Sequence, residues 1–205
     1  MNEIQVRKAV RKDFPVLKQM LARAFAADPL VNWLVLQDKR RPNRMERFFG
    51  ISLERFARPY DLIYTTPEMN GAALWIPPGR WKGNFLQELL LLPELVRITG
   101  ARQLLGKIKA VQSIDRVHPS AAHYYLITLG VEPEQQGRGI GSALLQPMLR
   151  RCDQEGLPAY LETAKEENLV FYARHGFQER DIIQVPQGGP MIWTMWREPG
   201  WASKT

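Results

Sequence analysis

The chain has 205 residues, of which 45% are hydrophobic and 24% are charged, and its net charge is +7. This composition excludes a disordered chain, and the single cysteine excludes both an intramolecular disulfide framework and a cysteine-based metal cluster. There is no signal-peptide core and no run of about eighteen apolar residues, so we expect a cytoplasmic protein whose residues 1–205 form a single domain.

Many of the basic residues lie between positions 39 and 58, where apolar residues alternate with them. The basic residues are Lys39, Arg40, Arg41, Arg44, Arg47, Arg55 and Arg58. The alternation predicts an amphipathic helix with a solvated basic face. A nucleic-acid-binding face is the alternative, because a basic stripe also suits a phosphate backbone.

The first part of the chain predicts a short strand, helices and a hairpin. Apolar residues indicate an opening strand within residues 4–9, and Asp13 is typical of an N-cap before a helix with proline in its first turn. A second helix is predicted to begin at Asp28. β-like runs at 60–66 and 72–76, separated by a turn, predict an antiparallel hairpin.

Residues from about 79 to 120 predict a mainly helical insertion. Its leucine-rich part contains Pro93, which would interrupt a helix, so two helices or one kinked helix are expected. The leucines indicate either burial against the body of the protein or a lid over a substrate, and the sequence leaves both open.

Residues 123–151 predict a strand, a glycine-rich turn and a helix. The strand is apolar on both faces, which indicates a central, buried position. Strict alternation would put four of its side chains on one face: Tyr125, Ile127, Leu129 and Val131. The turn has three glycines where the helix begins, so backbone N–H groups can approach an anion such as phosphate. Its spacing fits neither a P-loop nor a dinucleotide fingerprint.

Apolar residues recur at helical spacing after the turn. Pro147 lies inside this helix and predicts a local kink, and Cys152 on the apolar stripe is interpreted as a small core residue. A strand, a short helix and a hairpin follow, at 159–163, 168–175 and 181–196.

The turn contains the pattern Q/R-x-x-G-x-G/A, formed by Gln136, Gly139 and Gly141. In this pattern the chain resembles the GCN5-related N-acetyltransferase (GNAT) superfamily. The run LET…N…FYxxxGF resembles that family's second motif. Over residues 129–198, including ALLQPMLRR and QVPQGGPMIWTMWREPG, the chain is most similar to puromycin N-acetyltransferase and its relatives. The resemblance implies an α/β (α+β) fold, with a mixed central sheet of about seven strands that splays at the cofactor strand and is flanked by helices.

In that family the amides of the glycine turn hold the pyrophosphate of acetyl-coenzyme A, and the preceding strand bulges and binds the pantetheine arm. The resemblance therefore implies acetyl-coenzyme A as cosubstrate and no metal. The positions that it assigns to coenzyme binding are Leu129, Gly130, Val131, Gln136, Gly137, Arg138, Gly139, Ile140, Gly141, Ser142, Asn168 and Tyr172.

Tyr172 lies four residues before Gly176, where the family's tyrosine acts as general acid. A phenol with a pKa of about 10 stays protonated at neutral pH, whereas a thiol leaves with a pKa of about 8.5. Asn168 would hydrogen-bond the pantetheine arm or cap the short helix. Some relatives carry a glutamate that acts as the general base at the position of Tyr125. Because a tyrosine stands there in this chain, we take Glu162 on the neighbouring strand as the candidate base. The alternatives are a structural role for Glu162 and a water molecule as the base.

The sequence is thus interpreted as an acetyl-coenzyme A-dependent N-acetyltransferase acting on a small primary amine by direct transfer in a ternary complex. The alternatives are a protein or peptide N-acetyltransferase, or a non-enzymatic module that senses coenzyme A or binds nucleic acid. We expect no membrane or nucleic-acid partner, and the oligomeric state stays open, with a homodimer as one option. Five tryptophans are interpreted mainly as core, with an aromatic wall for the amine as the alternative: Trp33, Trp75, Trp81, Trp193 and Trp196.

Overall fold

The computed structural model describes residues 4–81 and 85–201. The helices in these ranges are α1 (Phe14–Ala24), α2 (Pro29–Leu34), α3 (Arg41–Ile51), α4 (Phe85–Thr99), α5 (Ala101–Asp115), α6 (Ile140–Glu155) and α7 (Asn168–Ala173). The strands are β1 (Arg7–Lys8), β2 (Ile63–Thr65), β3 (Gly71–Ile76), β4 (Tyr124–Val131), β5 (Ala159–Thr163), β6 (Gln178–Gln184) and β7 (Met191–Arg197).

The strands form one mixed sheet of seven in the order β1-β2-β3-β4-β5-β7-β6, which confirms the predicted fold class. The neighbours β4 and β5 are parallel, and the other pairs are antiparallel. Pairing between β4 and β5 is limited to residues 124–126 and 159–161, although both strands continue beyond it. The sheet therefore splays between these two strands. Beyond residues 126 and 161 their facing backbone edges are not joined by ladder hydrogen bonds.

A bulge in β4 changes which side chains share a face. Leu126 pairs with Trp75 and Thr128 pairs with Leu74, so Ile127 is an extra residue relative to β3. As a result Leu126 and, three residues later, Leu129 both pack in the cluster around α6, whereas Ile127 packs against the cluster around α1. The predicted strict alternation of β4 is therefore wrong, because a bulge shifts the phase of a strand by one residue.

Three apolar clusters hold the helices on the sheet. The largest is built on α6, where Leu144, Leu145 and Met148 are fully buried against β3, β4 and β5. A second joins α1 and α3 to β2 and β3, and a third joins α5 to the hairpin of β6 and β7. Each buried leucine or methionine contributes about 1.5–3 kcal/mol of transfer free energy, so these clusters dominate the stability of the fold.

The helices begin at the two aspartates as predicted, but only one of these aspartates caps its helix with its side chain. Asp13 precedes α1, yet its carboxylate accepts hydrogen bonds from Arg7 Nη1 at 2.6 Å and from the Val10 amide at 2.9 Å rather than capping the helix. Asp28, by contrast, caps α2 by accepting from the Val31 amide at 2.9 Å.

The prolines do not break the helices. Pro93 lies inside α4, and the chain divides into two helices at Gly100, whose φ of 80° is in the left-handed region that favours glycine. Helix α6 likewise runs through Pro147 from Ile140 to Glu155. Residues 82–84, within the insertion predicted at about 79–120, lie outside the described residues.

The basic segment forms α3 and a π-helical extension, Ser52–Ala57. Ion pairs neutralise several of its arginines: Arg44 with Asp38, Arg47 with Glu94, and Arg58 with Glu54. Among the described residues, the helices are all too short or too polar to cross a lipid bilayer.

Candidate active site

The glycine turn leaves the first amides of α6 uncovered by side chains. Gly137 and Gly139 have φ values of 74° and 85°, a conformation that favours glycine, and a Cβ on Gly137 would meet nothing within 4 Å. The Ala143 amide donates to the Gly139 carbonyl at 3.0 Å, so the amides of residues 140–142 lie ahead of the helical ladder. A helix start of this kind favours a bound anion.

Other members of the turn have structural partners. Gly141 lets α7 pack closely, because a Cβ there would lie 3.3 Å from Phe171 Cζ. Gln136 Nε2 donates to the Val131 carbonyl at 3.1 Å, which ties the turn back to the end of β4. Arg138 is exposed and lines an open cleft that it shares with the turn between β2 and β3. This cleft lies on the side of the glycine turn that is away from β5.

The predicted bulge site at residues 129–131 has a different local structure. The bulge lies at Ile127, and Gly130 is required because α1 crosses it closely. A Cβ on Gly130 would lie 2.7 Å from Leu21 Cδ2 and 2.9 Å from Phe25 Cε2. The glycine thus serves helix packing, while the β5-side backbone edge of this strand stays unpaired with β5.

Ser142 connects the start of α6 to the end of α7. Its hydroxyl lies 3.0 Å from His175 Nε2, so this predicted coenzyme contact also has a partner within the protein. Burial, together with the nearby charges of Arg197 and Arg174, lowers the pKa of His175 and favours its neutral form.

Tyr172 lies on α7 among apolar side chains and is 7% exposed. Burial, and to a smaller extent the charge of Asp28, raises its pKa well above the ordinary value for a phenol. Burial also raises the pKa of Asp28 itself. The Tyr172 hydroxyl therefore stays protonated throughout the neutral range, as a general acid must, although the same shift makes it a weaker acid than the departing thiol.

Asn168 does not cap α7, contrary to the capping alternative. It is the first residue of the helix, and its Nδ2 donates to Thr163 Oγ1 at the end of β5 at 3.2 Å. This contact fixes the start of α7 relative to the open edge of β5.

Glu162 lies on β5 at the first position beyond the β4–β5 pairing. Its Oε2 accepts a hydrogen bond from Tyr125 and its Oε1 accepts one from Tyr160, both at 3.0 Å. Because side chains alternate along a strand, Glu162 faces away from the α6 cluster that contains its neighbour Leu161. The carboxylate is held in one orientation at the mouth of the splay.

Two buried histidines lie beside Glu162. His118 Nδ1 is 3.6 Å from Glu162 Oε1, and His118 Nε2 is 3.0 Å from His123 Nε2. Neither histidine was singled out in the sequence, because they are five positions apart in a connecting segment and show no metal-ligand spacing. Asp28 was likewise predicted only as part of a helix start.

The tryptophans are divided between the core and this cluster. Trp75 is fully buried on the α6 side of the sheet, so it cannot belong to a wall around Glu162. Trp81 stacks on His118 with ring centroids 3.7 Å apart, and Trp196 lies 5.4 Å from the His123 ring.

The arrangement fits the coenzyme that the resemblance implies. Uncovered amides at the start of α6 can bind a pyrophosphate, and the space in front of Gly137 would accommodate it. The unpaired edges of β4 and β5 can hydrogen-bond an extended amide-containing arm in the manner of an added strand.

Comparisons with known proteins agree with this geometry. Residues 97–179 match the acetyltransferase (GNAT) domain profile. The chain is 26% identical over 211 residues to an uncharacterized N-acetyltransferase of Schizosaccharomyces pombe, with 97% of this chain and 85% of the relative covered.

Two solved structures have a similar fold. A Corynebacterium glutamicum protein described as histone acetyltransferase HPA2 and related acetyltransferase has a TM-score of 0.74 and 26% identity, with 98% of this chain and 99% of that chain covered. The polyamine N-acetyltransferase of Drosophila melanogaster, which forms N-acetylagmatine, has a TM-score of 0.63 and 15% identity over 96% of this chain and 100% of its own, a likeness of fold alone.

Proposed function

Because this chain carries a GNAT acetyltransferase domain and is an acyltransferase, we propose that it transfers an acetyl group from acetyl-coenzyme A to the primary amine of a small molecule. The sequence runs in residues 129–198 support a further grouping with the puromycin N-acetyltransferase-like members. We take residues 1–205 as a single domain, with α4 and α5 as its insertion.

Bound acetyl-coenzyme A supplies the acetyl group as a thioester. The amides of residues 140–142 would hold its pyrophosphate and the free edge of β4 would hold its arm. Glu162 then accepts a proton from the attacking amine, and Tyr172 donates its proton to the departing sulfur. The two tyrosine hydroxyls on Glu162 keep its carboxylate in place.

Direct transfer is supported by the state of the single cysteine. Cys152 is fully buried in α6, and burial raises the pKa of its thiol to about 12. A protonated, inaccessible thiol is a poor nucleophile, so it cannot carry an acetyl group between two half-reactions.

The observation that carries the small-amine assignment is a bridge on the Glu162 side of the sheet. The turn between β6 and β7 contacts two helices there: Trp33 Nε1 of α2 donates to the Gln187 carbonyl at 3.4 Å, and Gly106 of α5 lies directly against the Gln187 side chain. Leu30, Ile114 and Ile192 fill the space beneath. These contacts restrict access to this face of the sheet, which suits a compact acceptor better than an extended peptide.

Protein or peptide acetylation is the second candidate. The Corynebacterium glutamicum protein, with 26% identity, is described as a histone acetyltransferase and related acetyltransferase. The bridge at Gln187 argues against it, because a peptide chain would need an open groove.

Thiol release from acetyl-coenzyme A, measured with matched panels of amines and peptides, tests the assignment. We expect small primary amines, including agmatine, arylalkylamines and aminonucleosides, to give kcat/KM values at least tenfold above those of lysine-containing or free N-terminal peptides. Acetylation of peptides at equal or higher efficiency would contradict the small-amine assignment, and thiol release unaffected by any acceptor would contradict acetyl transfer to amines.

A further inference from the structure

The insertion and the segment after it place two histidines behind Glu162. His118 follows α5 and is 9% exposed, and His123 directly precedes β4 and is 4% exposed. The three side chains form a line: Glu162 Oε1 to His118 Nδ1 is 3.6 Å, and His118 Nε2 to His123 Nε2 is 3.0 Å. The line ends at the Ala121 carbonyl, 2.6 Å from His123 Nδ1.

The partners determine how many protons this line holds. A carbonyl oxygen only accepts, so His123 Nδ1 carries a hydrogen. One hydrogen lies between the two Nε2 atoms, since two bare or two protonated nitrogens would repel each other at 3.0 Å. The neutral pair therefore has two ring hydrogens, and His118 Nδ1 is bare where it faces the Glu162 carboxylate.

A bare nitrogen facing a carboxylate is a site for one more proton. His118 Nδ1 and Glu162 Oε1 are 3.6 Å apart, and a proton held by one of them relieves the repulsion between a bare nitrogen and a carboxylate oxygen. A second added proton is disfavoured, because burial and the charge of the first ring both lower the pKa of His123. The pair can thus take up one proton and no more.

The surroundings keep this proton away from water. Trp81 stacks on the His118 ring, and the rings of Tyr125 and Tyr160 pack edge-on against it, with centroids 4.9 and 4.6 Å away. Three charged groups of the described chain act on the cluster besides Glu162: Arg180 of β6 disfavours a cation at His123, Asp115 of α5 acts on Tyr125, and Asp181 of β6 acts on Tyr160.

We propose that His118 and His123 form a one-proton reservoir for the acceptor amine: Glu162 removes the amine proton and passes it to His118 Nδ1. In this transfer the amine N–H bond breaks, an Oε1–H bond forms and breaks on Glu162, and an Nδ1–H bond forms on His118. The positive charge is then shared over two rings through the hydrogen between their Nε2 atoms. This rests on the proposed function, in which Glu162 is the base, and it gives the insertion a positioning role through His118.

The proton count is tested without any substrate. In protein labelled with ¹⁵N-histidine, long-range proton–nitrogen spectra between pH 5 and 9 report all three histidines, and His175 serves as an internal reference. We expect His123 Nδ1 to stay protonated and the signals of His118 and His123 to move in one shared step. Glu162→Gln should move the midpoint of that step to lower pH, since it removes a negative charge within 4 Å of His118. Two independent steps, or a midpoint unchanged in Glu162→Gln, would overturn the reservoir.

The catalytic part is tested by the pH profile of kcat. His118→Asn keeps a hydrogen-bonding group but cannot hold the proton. We therefore expect kcat at neutral pH to fall about tenfold or more and the acidic limb of the pH profile to move. The KM for acetyl-coenzyme A should be unchanged. His118→Gln is a second variant if His118→Asn unfolds, and thermal melting checks both. An unchanged profile would overturn the catalytic role of His118. Coupled titration with no acetylation of any amine would instead overturn the proposed function, and with it the catalytic use of the reservoir.

Discussion

Tyr172 packs in the α6 cluster, whereas Glu162 faces the other side of the sheet, and their surroundings differ accordingly. Tyr172 lies among apolar side chains on α7, where burial raises its pKa. Glu162 lies among hydroxyls and imidazoles that hydrogen-bond its oxygens or lie close to them. In the proposed acetyl transfer the phenol donates a proton to the departing sulfur and the carboxylate accepts one from the amine.

Replacing Tyr172 by Phe removes the proposed acid and leaves the ring in place. We expect kcat to fall about 100-fold or more, because general-acid catalysis contributes about 10²–10⁴, while the dissociation constant of coenzyme A stays within twofold. Steady-state kinetics and calorimetric titration with coenzyme A measure the two quantities.

Tyr124→Phe is the matched control. Its hydroxyl donates to Glu155 at 2.7 Å at the far end of α6, so Tyr124→Phe also removes a phenol hydroxyl, at a position outside the proposed site. Equal losses of kcat in Tyr172→Phe and Tyr124→Phe would show that Tyr172 has no specific role.

At the scale of the element, α6 has a left-handed glycine at each end. Gly139 precedes its first turn with a φ of 85°, and Gly156 follows its last turn with a φ of 65°. Both ends have little around the glycine, since a Cβ on Gly156 would meet nothing within 4 Å and one on Gly139 would meet Ile4 Cδ1 at 3.6 Å. The two positions therefore differ mainly in what lies next to them, the uncovered amides at one end and solvent at the other.

A comparison of alanine variants at these two glycines separates the effect of backbone strain from the effect on coenzyme binding. Gly139→Ala and Gly156→Ala should each lower the free energy of unfolding by about 1–2 kcal/mol, the cost of a left-handed conformation for an L-residue. Relief of that strain at Gly139 turns the amides of residues 140–142, so only Gly139→Ala should weaken coenzyme A binding, by at least tenfold. Denaturant melts and calorimetry give both numbers, and equal affinities in the two variants would contradict the assignment of the turn.

At the scale of the whole molecule, Arg197 connects the second half of the sheet to α6 and α7. Its guanidinium, on β7, donates two hydrogen bonds to Asp153 of α6 at 2.8 and 2.9 Å and one to the His175 carbonyl at 2.9 Å. Arg197 is 2% exposed, so its charge depends on this partner. Burial disfavours the Asp153 carboxylate, but the hydrogen bonds from Arg197 and the Gly200 amide outweigh it, and the pKa of Asp153 is lowered.

The lowered pKa of Asp153 has a defined consequence for acid stability. A carboxyl whose pKa falls on folding contributes fully above its unfolded pKa of about 4, and the contribution is lost as the pH falls through the folded value. Asp153→Asn should cost about 2–3 kcal/mol at pH 7 and less at pH 3, so the melting temperatures of variant and parent should converge in acid.

Asp181→Asn provides the surface comparison. Asp181 is 3.6 Å from Arg180 with both side chains about half exposed, and such pairs contribute little, so its loss should change the unfolding free energy by less than about 0.5 kcal/mol. A melting-temperature difference for Asp153→Asn that persists at pH 3 would show that packing, and not the charge pair, accounts for the loss.

The sequence predicted local features well, because they depend on neighbours along the chain. The left-handed glycines of the turn, the strand before it and the helix after it follow from spacing and from the steric freedom of glycine. The hairpins and the seven-stranded sheet follow from the same periodicity and from the family pattern. The short helix that carries Tyr172 also forms where the sequence predicted it, from Asn168 to Ala173.

The predictions that were wrong concern residues whose role depends on distant parts of the chain. Gly130 is glycine because α1 crosses it, and Asn168 binds Thr163 instead of capping its own helix. The bulge at Ile127 depends on pairing with β3, which strand alternation cannot show.

The sequence by itself determined that a strand, a glycine turn with left-handed residues and a helix follow one another, because short-range spacing and backbone sterics decide local structure. Only the tertiary structure decided which groups surround Glu162. His118 and His123 come from the segment that connects the insertion to β4, and they reach Glu162 of β5 because the sheet brings β4 and β5 side by side. Such a cluster depends on distances through space, and no spacing along the chain encodes them.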